Sequence, residues 1–213
     1  MARLRITEIF HSLQGESATV GWPTVFIRLT GCPLRCTYCD TAYAFSGGDW
    51  WDVDDIIAET RRHPVRHVTV TGGEPLAQPD CRQLLSQLCD AGYQVSLETS
   101  GALDVSDIDE RVSKVVDLKT PSSGESSRNL FDNIDHLDQN DQVKFVIGDE
   151  QDYAWSREQV DQLNLSQRCT VLFSPVADSM PAARLADWVL RDGLDVRFQI
   201  QLHKALWGNE PGR

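Results

Sequence analysis

Short apolar runs alternate with amphipathic segments from residue 25 to residue 202, and that alternation limits the chain to a few architectures. The runs at 24–29, 67–71, 94–98, 114–118, 142–147, 170–173 and 196–201 are mostly β-branched and not strictly alternating. Continuous apolar runs of this kind form strands of a parallel sheet covered on both faces. Between them, Val53, Ile56, Ile57 and Thr60, then Cys81, Leu84, Leu85 and Leu88, then Leu185, Trp188 and Val189 fall at the spacing of one helix face. Asp80 ahead of Cys81 and Ser156 ahead of 158–163 read as helix starts. Repeated β-then-α units build an open doubly wound sheet or a barrel. A closed eight-stranded barrel takes about 250 residues, so an α/β fold with a partial, open parallel barrel of six to seven strands is expected from 213 residues. One domain over residues 1–213 is the economical reading. In either form, function gathers at the carboxyl ends of the strands.

Composition removes several function classes. A formal net charge of −12 without a basic stretch argues against nucleic-acid binding. No apolar stretch reaches membrane-spanning length. The opening Met1-Ala2-Arg3-Leu4-Arg5-Ile6 has no apolar signal region, so a soluble, cytoplasmic protein is expected. The 121–129 segment is polar and rich in Gly and Ser, and reads as a loop. The tail 207–213 has no periodicity and reads as a frayed end or a flap over a site.

Directly after the first strand lies Cys32-Pro33-Leu34-Arg35-Cys36-Thr37-Tyr38-Cys39, three thiols in a C-x3-C-x2-C run. Three close thiolates hold three corners of an iron–sulfur cube and leave the fourth iron open to a small molecule. A zinc site is the alternative, but it normally wants four ligands, or three plus water, and the nearest further candidates are Asp40 and His63. A disulfide would require an oxidising compartment. Cys81, Cys89 and Cys169 read as small buried hydrophobes.

Other peculiar residues also stand at strand ends. Thr71-Gly72-Gly73-Glu74-Pro75 offers glycines for close backbone approach and a carboxylate as acceptor. Glu98-Thr99-Ser100-Gly101 offers a carboxylate and hydroxyls, though a capped strand-to-helix turn would look the same. Asp117-Leu118-Lys119-Thr120-Pro121 closes another strand, with Lys119 either a solvated end charge or a carboxylate ligand, and Ser174-Pro175 follows the next.

The cysteine run and the Gly-Gly-Glu-Pro turn resemble the radical S-adenosylmethionine superfamily. Ile9-Phe10-His11-Ser12-Leu13-Gln14-Gly15-Glu16, Phe26-Ile27-Arg28-Leu29-Thr30-Gly31-Cys32 and Cys39-Asp40-Thr41 narrow the resemblance to the 7-carboxy-7-deazaguanine synthase family, from about Glu8 to His203. The resemblance implies a carbon–nitrogen lyase of queuosine and 7-deazapurine biosynthesis, acting on 6-carboxy-5,6,7,8-tetrahydropterin. It implies a [4Fe-4S] cluster on Cys32, Cys36 and Cys39, with S-adenosylmethionine faced by Tyr38, Cys39, Asp40, Gly73, Glu74, Ser100, Asp117, Lys119 and Pro175. Glu74 is expected to hold the cofactor's amino group. Leu13, Gln14, Gly15, Glu16, Arg28, Thr71 and His203 would bind the pterin, and Thr41 a Mg2+ ion bridging to its carboxylate. A planar guanidinium suits that carboxylate. An electron donor such as flavodoxin or ferredoxin and a homodimer are implied as well. The family often carries Gly where Ser17 stands. The competing readings are an activase that makes a glycyl radical on a partner protein, and a zinc-stabilised binding module.

Overall fold

The computed structural model describes residues 2–177, 179–208, 210 and 212. Of the tail singled out above, residues 209, 211 and 213 lie outside this set. Among the described residues nine strands join one sheet: β1 (Arg3–Leu13), β2 (Pro23–Leu29), β3 (Asp49–Asp52), β4 (His67–Gly72), β5 (Gln94–Thr99), β6 (Ser113–Asp117), β7 (Gln142–Ile147), β8 (Thr170–Pro175) and β9 (Arg197–Phe198). Their order is β3-β1-β2-β4-β5-β6-β7-β8-β9, and β2 with β4 to β9 form a run of seven parallel strands. The expected partial, open parallel barrel is therefore present. Two strands were not expected: β1 and β3 extend it antiparallel beyond β2.

Helices α1 (Val53–Thr60), α2 (Cys81–Asp90), α3 (Glu150–Gln162), α4 (Ala182–Asp192) and α5 (Leu202–Trp207) accompany the strands. The three apolar stripes read from sequence are the buried faces of α1, α2 and α4. Leu84, Leu85 and Leu88 are wholly buried against a core that includes Val70, Leu97 and Val116. Removing one such leucine side chain typically costs about 2–5 kcal/mol. Cys81 and Cys169 are buried there as small hydrophobes, and Cys89 is half-buried.

Of the two helix-start expectations, Asp80 holds as the residue that starts α2, and Ser156 needs correction. α3 begins earlier than expected, because the Asp149 carboxylate accepts the Asp152 amide at 2.8 Å and caps it; Ser156 lies buried in its interior. Asp80 does precede α2, but its carboxylate accepts the Arg3 amide at 2.9 Å and makes no cap. The 121–129 loop contains two short 3-10 turns, Pro121–Ser123 and Ser126–Arg128. The Asp152 carboxylate accepts from the Ser122 amide at 2.9 Å and from its hydroxyl. β9 ends at Phe198, shorter than the run at 196–201, where the chain turns inward and Gln199 and Gln201 reach the 14–22 loop.

The two ends of the sheet, β3 and β9, do not pair with one another. The loop after β1 spans the open side instead: Ser17 N donates to Gln199 Oε1 at 2.9 Å and Ala18 N to Gln142 Oε1 at 2.6 Å. Leu202 N donates to Gly15 O at 2.9 Å. Ser17 has φ +67°, the left-handed region that glycine adopts freely and L residues other than Asn and Asp adopt at a cost of roughly 1–2 kcal/mol. Ser17→Gly keeps the amide bond to Gln199 and loses only weak contacts to Thr19 at 3.1 and 3.4 Å. Net of glycine's extra chain entropy, about 0.5–1 kcal/mol of stabilisation is expected. That corresponds to roughly 1–4 °C in Tm by calorimetry, and a fall in Tm would contradict the strain assignment.

Candidate functional site

At the carboxyl ends of the parallel strands lies a cavity of about 530 Å3. Its lining includes the three thiols of Cys32, Cys36 and Cys39. The loop carrying them starts where Gly31 turns with φ +98° and its amide donates to Ala44 O at 2.7 Å. Thr37 ties it to the 121–129 loop, through its amide to Ser123 O at 3.0 Å and its hydroxyl to Ser122 O at 2.7 Å. The Arg35 guanidinium donates to Cys32 O at 2.7 Å and Leu34 O at 2.6 Å and lies over the Phe45 ring at 4.2 Å. Burial pushes the Cys32 and Cys36 thiols above their ordinary range. Among the described residues no three His, Cys, Asp or Glu side chains converge tightly enough to share one ion. Three thiols set around one cavity rim suit a four-iron cube, which spreads its thiolates wider than a single ion does.

The Gly-Gly-Glu-Pro turn presses against that loop. A Cβ on Gly73 would stand 2.1 Å from Gly31 O and 3.0 Å from Cys32 Cβ, so glycine is required by backbone contact. Glu74 N donates to Gly31 O at 2.7 Å. The Glu74 carboxylate does not meet the expectation placed on it. It is fully buried behind the cavity wall and accepts from Leu76 N (3.0 Å), Thr99 Oγ1 (2.9 and 3.0 Å), Ser100 N (2.6 Å) and Ser100 Oγ (2.5 Å). With its lone pairs engaged by four groups, it braces the turn after β4 against the end of β5 and does not face a ligand. Ser100 still lines the cavity beside Thr71, Gly72 and Gly73.

The middle of the cavity holds a charged web. Lys144 Nζ, from β7, lies 2.7 Å from Glu16 Oε2, 3.7 Å from Asp117 Oδ2 and 3.8 Å from Glu98 Oε2. Lys119 Nζ lies 2.9 Å from Asp117 Oδ2. Asp117 Oδ1 is buried without a protein partner, as expected of an acceptor kept for a bound hydroxyl or amine. Desolvation pulls the Lys144 ammonium down, but the Glu16, Asp117 and Glu98 carboxylates outweigh it and leave it well above the lysine range. Burial likewise pushes Glu16 up, yet Lys144's charge and hydrogen bond leave Glu16 below its ordinary value. Glu98, farther from that ammonium, stays above its ordinary value because burial dominates. Burial also raises the Tyr38 phenol to about 12.

At one rim, Arg28 Nε donates to Glu8 Oε1 at 2.6 Å while its guanidinium lies 5.7 Å from the Phe10 ring centre and 5.8 Å from that of Tyr43. Tyr43 OH donates to the same Glu8 oxygen at 2.7 Å. Gln14 Nε2 reaches Thr69 Oγ1 at 3.0 Å and Glu98 Oε1 at 3.4 Å. The Thr41 hydroxyl donates to Asp40 Oδ1 at 2.8 Å. α5 leans over the cavity beside these groups: Lys204 Nζ meets Asp40 Oδ2 at 3.0 Å, and Gln201 Nε2 donates to Glu16 Oε1 at 2.7 Å. Desolvation pushes the Asp40 carboxyl up, but the Lys204 ammonium holds it well below the usual carboxylate range. The His203 ring packs on Gly15, where an added Cβ would fall 2.0 Å from Nδ1, and burial lowers its imidazole below the ordinary value.

Of the residues singled out in sequence, Leu13, Gln14, Gly15, Glu16, Arg28, Cys32, Cys36, Tyr38, Cys39, Asp40, Thr41, Thr71, Gly73, Ser100, Asp117, Lys119 and His203 all line this one cavity. Pro175 does not. It lines an adjoining recess of about 390 Å3 with Met180 and Ala205, which shares Ala177, Gln201 and Lys204 with the main cavity. Sequence reading missed Lys144, Gln201 and Lys204 and gave Glu98 no specific role. A lysine inside the apolar run Val143-Lys144-Phe145-Val146-Ile147 is a signal that could have been found; nothing marks Gln201.

Comparison with known proteins agrees with this geometry. Residues 26–161 match the family model described as the Radical SAM superfamily. The chain is 42% identical over 209 residues to the 7-carboxy-7-deazaguanine synthase of Chlorobaculum tepidum, covering 97% of this chain and 95% of that protein. It is 40% identical over 222 residues to the synthase of Koribacter versatilis, covering 97% and 98%. The crystal structure of QueE from Escherichia coli superimposes with a TM-score of 0.79 at 25% identity, over 94% of this chain and 95% of that one.

Proposed function

Because the chain belongs to the 7-carboxy-7-deazaguanine synthase family of the radical SAM superfamily, we propose that it converts 6-carboxy-5,6,7,8-tetrahydropterin to 7-carboxy-7-deazaguanine with loss of ammonia. The observation that carries this reading is the meeting of the three thiols, Arg28, Gln14 and Glu16 in one cavity. Cys32, Cys36 and Cys39 would hold the [4Fe-4S] cluster, and Tyr38, Asp40, Gly73, Ser100, Asp117 and Lys119 would face S-adenosylmethionine. Thr41 would hold Mg2+ beside the substrate carboxylate. When bound, the cluster and S-adenosylmethionine supply one-electron cleavage of a carbon–sulfur bond and with it radical hydrogen abstraction.

The chain's own residues bind, orient and shield. Lys119 presents a cation to the carboxylate of the methionine moiety, and Asp117 Oδ1 an unengaged acceptor to its donors. Arg28, with Nε engaged by Glu8, offers its remaining N–H groups to the pterin carboxylate. Gln14, Glu16 and the backbone of Leu13 and Gly15 read the donor and acceptor edge of the ring. His203 and α5 cover it and exclude water, so that a reactive species meets substrate and not solvent. Tyr43 shares Glu8 with Arg28 and keeps the guanidinium aimed. Tyr43→Phe is therefore expected to raise KM for the pterin by about 5-fold, the net worth of one solvent-exposed hydrogen bond of about 1 kcal/mol, with kcat little changed. An unchanged KM in steady-state assays would show that Phe10 and Glu8 suffice.

We read residues 1–213 as one catalytic domain that works as a cytoplasmic homodimer and takes electrons from a flavodoxin or ferredoxin. No described helix is long and apolar enough to cross a membrane. The test is anaerobic: the chain is reconstituted with iron and sulfide, reduced, and given S-adenosylmethionine, Mg2+ and the carboxytetrahydropterin. Mass spectrometry should detect 7-carboxy-7-deazaguanine. Formation of 5′-deoxyadenosine without that product would overturn the substrate and retain the reaction class.

A further inference from the structure

Lys144 belongs to no binding role assigned above, yet it occupies the centre of the cavity. It sits in the middle of a strand whose neighbours Val143, Phe145 and Ile147 are wholly buried, and its own side chain is 9% exposed. A buried ammonium is tolerated only where carboxylates surround it. Three do, and they come from three separate segments: Glu16 from the loop after β1, Glu98 from β5 and Asp117 from β6. Glu16 and Glu98 stand on the side of Gln14 and Arg28, and Asp117 on the side of Lys119 and Cys36. Lys144 thus touches both halves of the site.

Charge counting gives it a specific task. Glu16, Glu98 and Asp117 face two lysines, Lys119 and Lys144, and Lys119 is committed to Asp117 at 2.9 Å. Lys144 must therefore choose between Glu16 and Glu98, and the distances of 2.7 and 3.8 Å give the choice to Glu16. The other oxygen of Glu16 is fixed by Gln201 at 2.7 Å. Asp40 from the cysteine loop, Arg28 from β2, and His203 and Lys204 from α5 complete the charged surround.

We propose that Lys144 is a positioning residue that keeps Glu16 ionised and aimed into the cavity, so that Glu16 presents a fixed acceptor to the bound ring. The ring's identity rests on the function proposed above; the control of Glu16 does not. An ionised carboxylate held in one place accepts hydrogen bonds from the N–H side of a fused heterocycle, which a protonated or swinging carboxyl would do poorly.

The test is a double-mutant cycle on the full-length, iron–sulfur-reconstituted enzyme in its oxidised state, comparing wild type, Lys144→Met, Glu16→Gln and the pair, with Lys144→Arg as the charge-retaining control. One readout needs no ligand: the infrared band of protonated carboxyl groups at neutral pH. Lys144→Met should gain such a band, which Lys144→Arg lacks and which the added Glu16→Gln removes. The other readout is binding of 6-carboxypterin, a redox-stable analogue. Its affinity should fall at least about 20-fold in Lys144→Met, the usual effect of unpairing a buried charge. Adding Lys144→Met to Glu16→Gln should cause no further loss, and this arm holds even if Lys144→Met alone fails to fold. Absence of the new band, or a further tenfold loss in the double variant, would overturn the proposal. If wild type fails to bind the analogue while the band appears as described, the pterin assignment falls and the role of Lys144 stands.

Discussion

Cys36→Ala is expected to leave a folded chain that assembles no stable four-iron cluster and forms no detectable product. Cys36 is half-buried on a loop outside the apolar core, and the bonds that shape the loop are made by its neighbours Arg35 and Thr37. Fold and cluster should therefore separate cleanly. Circular dichroism would stay that of the parent, while iron and sulfide content would drop from about four of each per chain to a small residue. Product formation should fall by the full dynamic range of the assay, because two thiolates leave a second iron of the cube without a protein ligand. Cys81→Ser and Cys169→Ser provide the contrast, since both thiols lie in the core and away from the cavity. They should lower stability without changing the iron content of the protein that folds. Retention of a full cluster in Cys36→Ala would mean that the rim thiols are not its ligands.

The second large effect concerns stability. Glu74→Ala removes an acceptor that satisfies the buried amides of Leu76 and Ser100 and the hydroxyls of Thr99 and Ser100. Each buried donor left without a partner costs about 1–3 kcal/mol, and the void left by the side chain adds to that. A loss of roughly 3–5 kcal/mol is expected, a large part of the stability of a typical domain. Denaturant titration of the purified protein would read it as a lower midpoint. A direct cofactor ligand would behave differently: S-adenosylmethionine affinity would collapse and the midpoint would hardly move. That second pattern would restore Glu74 to the role expected from sequence.

Much of this was legible from residue types alone. The parallel strands announce themselves because each packs at least one side into the core and carries a short apolar, β-branched run there, as in Val68, Val70, Val143 and Phe145. β1 and β3 escaped because each has polar or charged residues along one side, and β3 is a short Asp-Trp-Trp-Asp segment at the sheet edge. The site was legible wherever a chemically unusual residue ends a strand. It was illegible where function depends on contact between remote segments: Glu16 and Lys144 are 128 positions apart, and Glu16 and Gln201 are 185 apart. Glu74 was misplaced for a related reason. A carboxylate beside two glycines looks free in one dimension, and only the approach of Thr99 and Ser100 shows that it is engaged.

Because a few side-chain amides and the lone Leu202–Gly15 backbone bond, and not a ladder, bridge the open side of the barrel, the ring has one weak link. Strand hydrogen bonds reinforce one another along a ladder, whereas Gln142 and Gln199 each contribute a single bond on a rotatable stem. Backbone amides of Ser17 and Ala18 should exchange with deuterium through local parting of this seam, at free energies well below that of global unfolding. Amides of Val70 and Leu97, in the middle of the ladder, should exchange only when the whole chain unfolds. The Glu16 loop thus borders the least protected stretch of the barrel, while the parallel ladder holds the rest of the cavity wall.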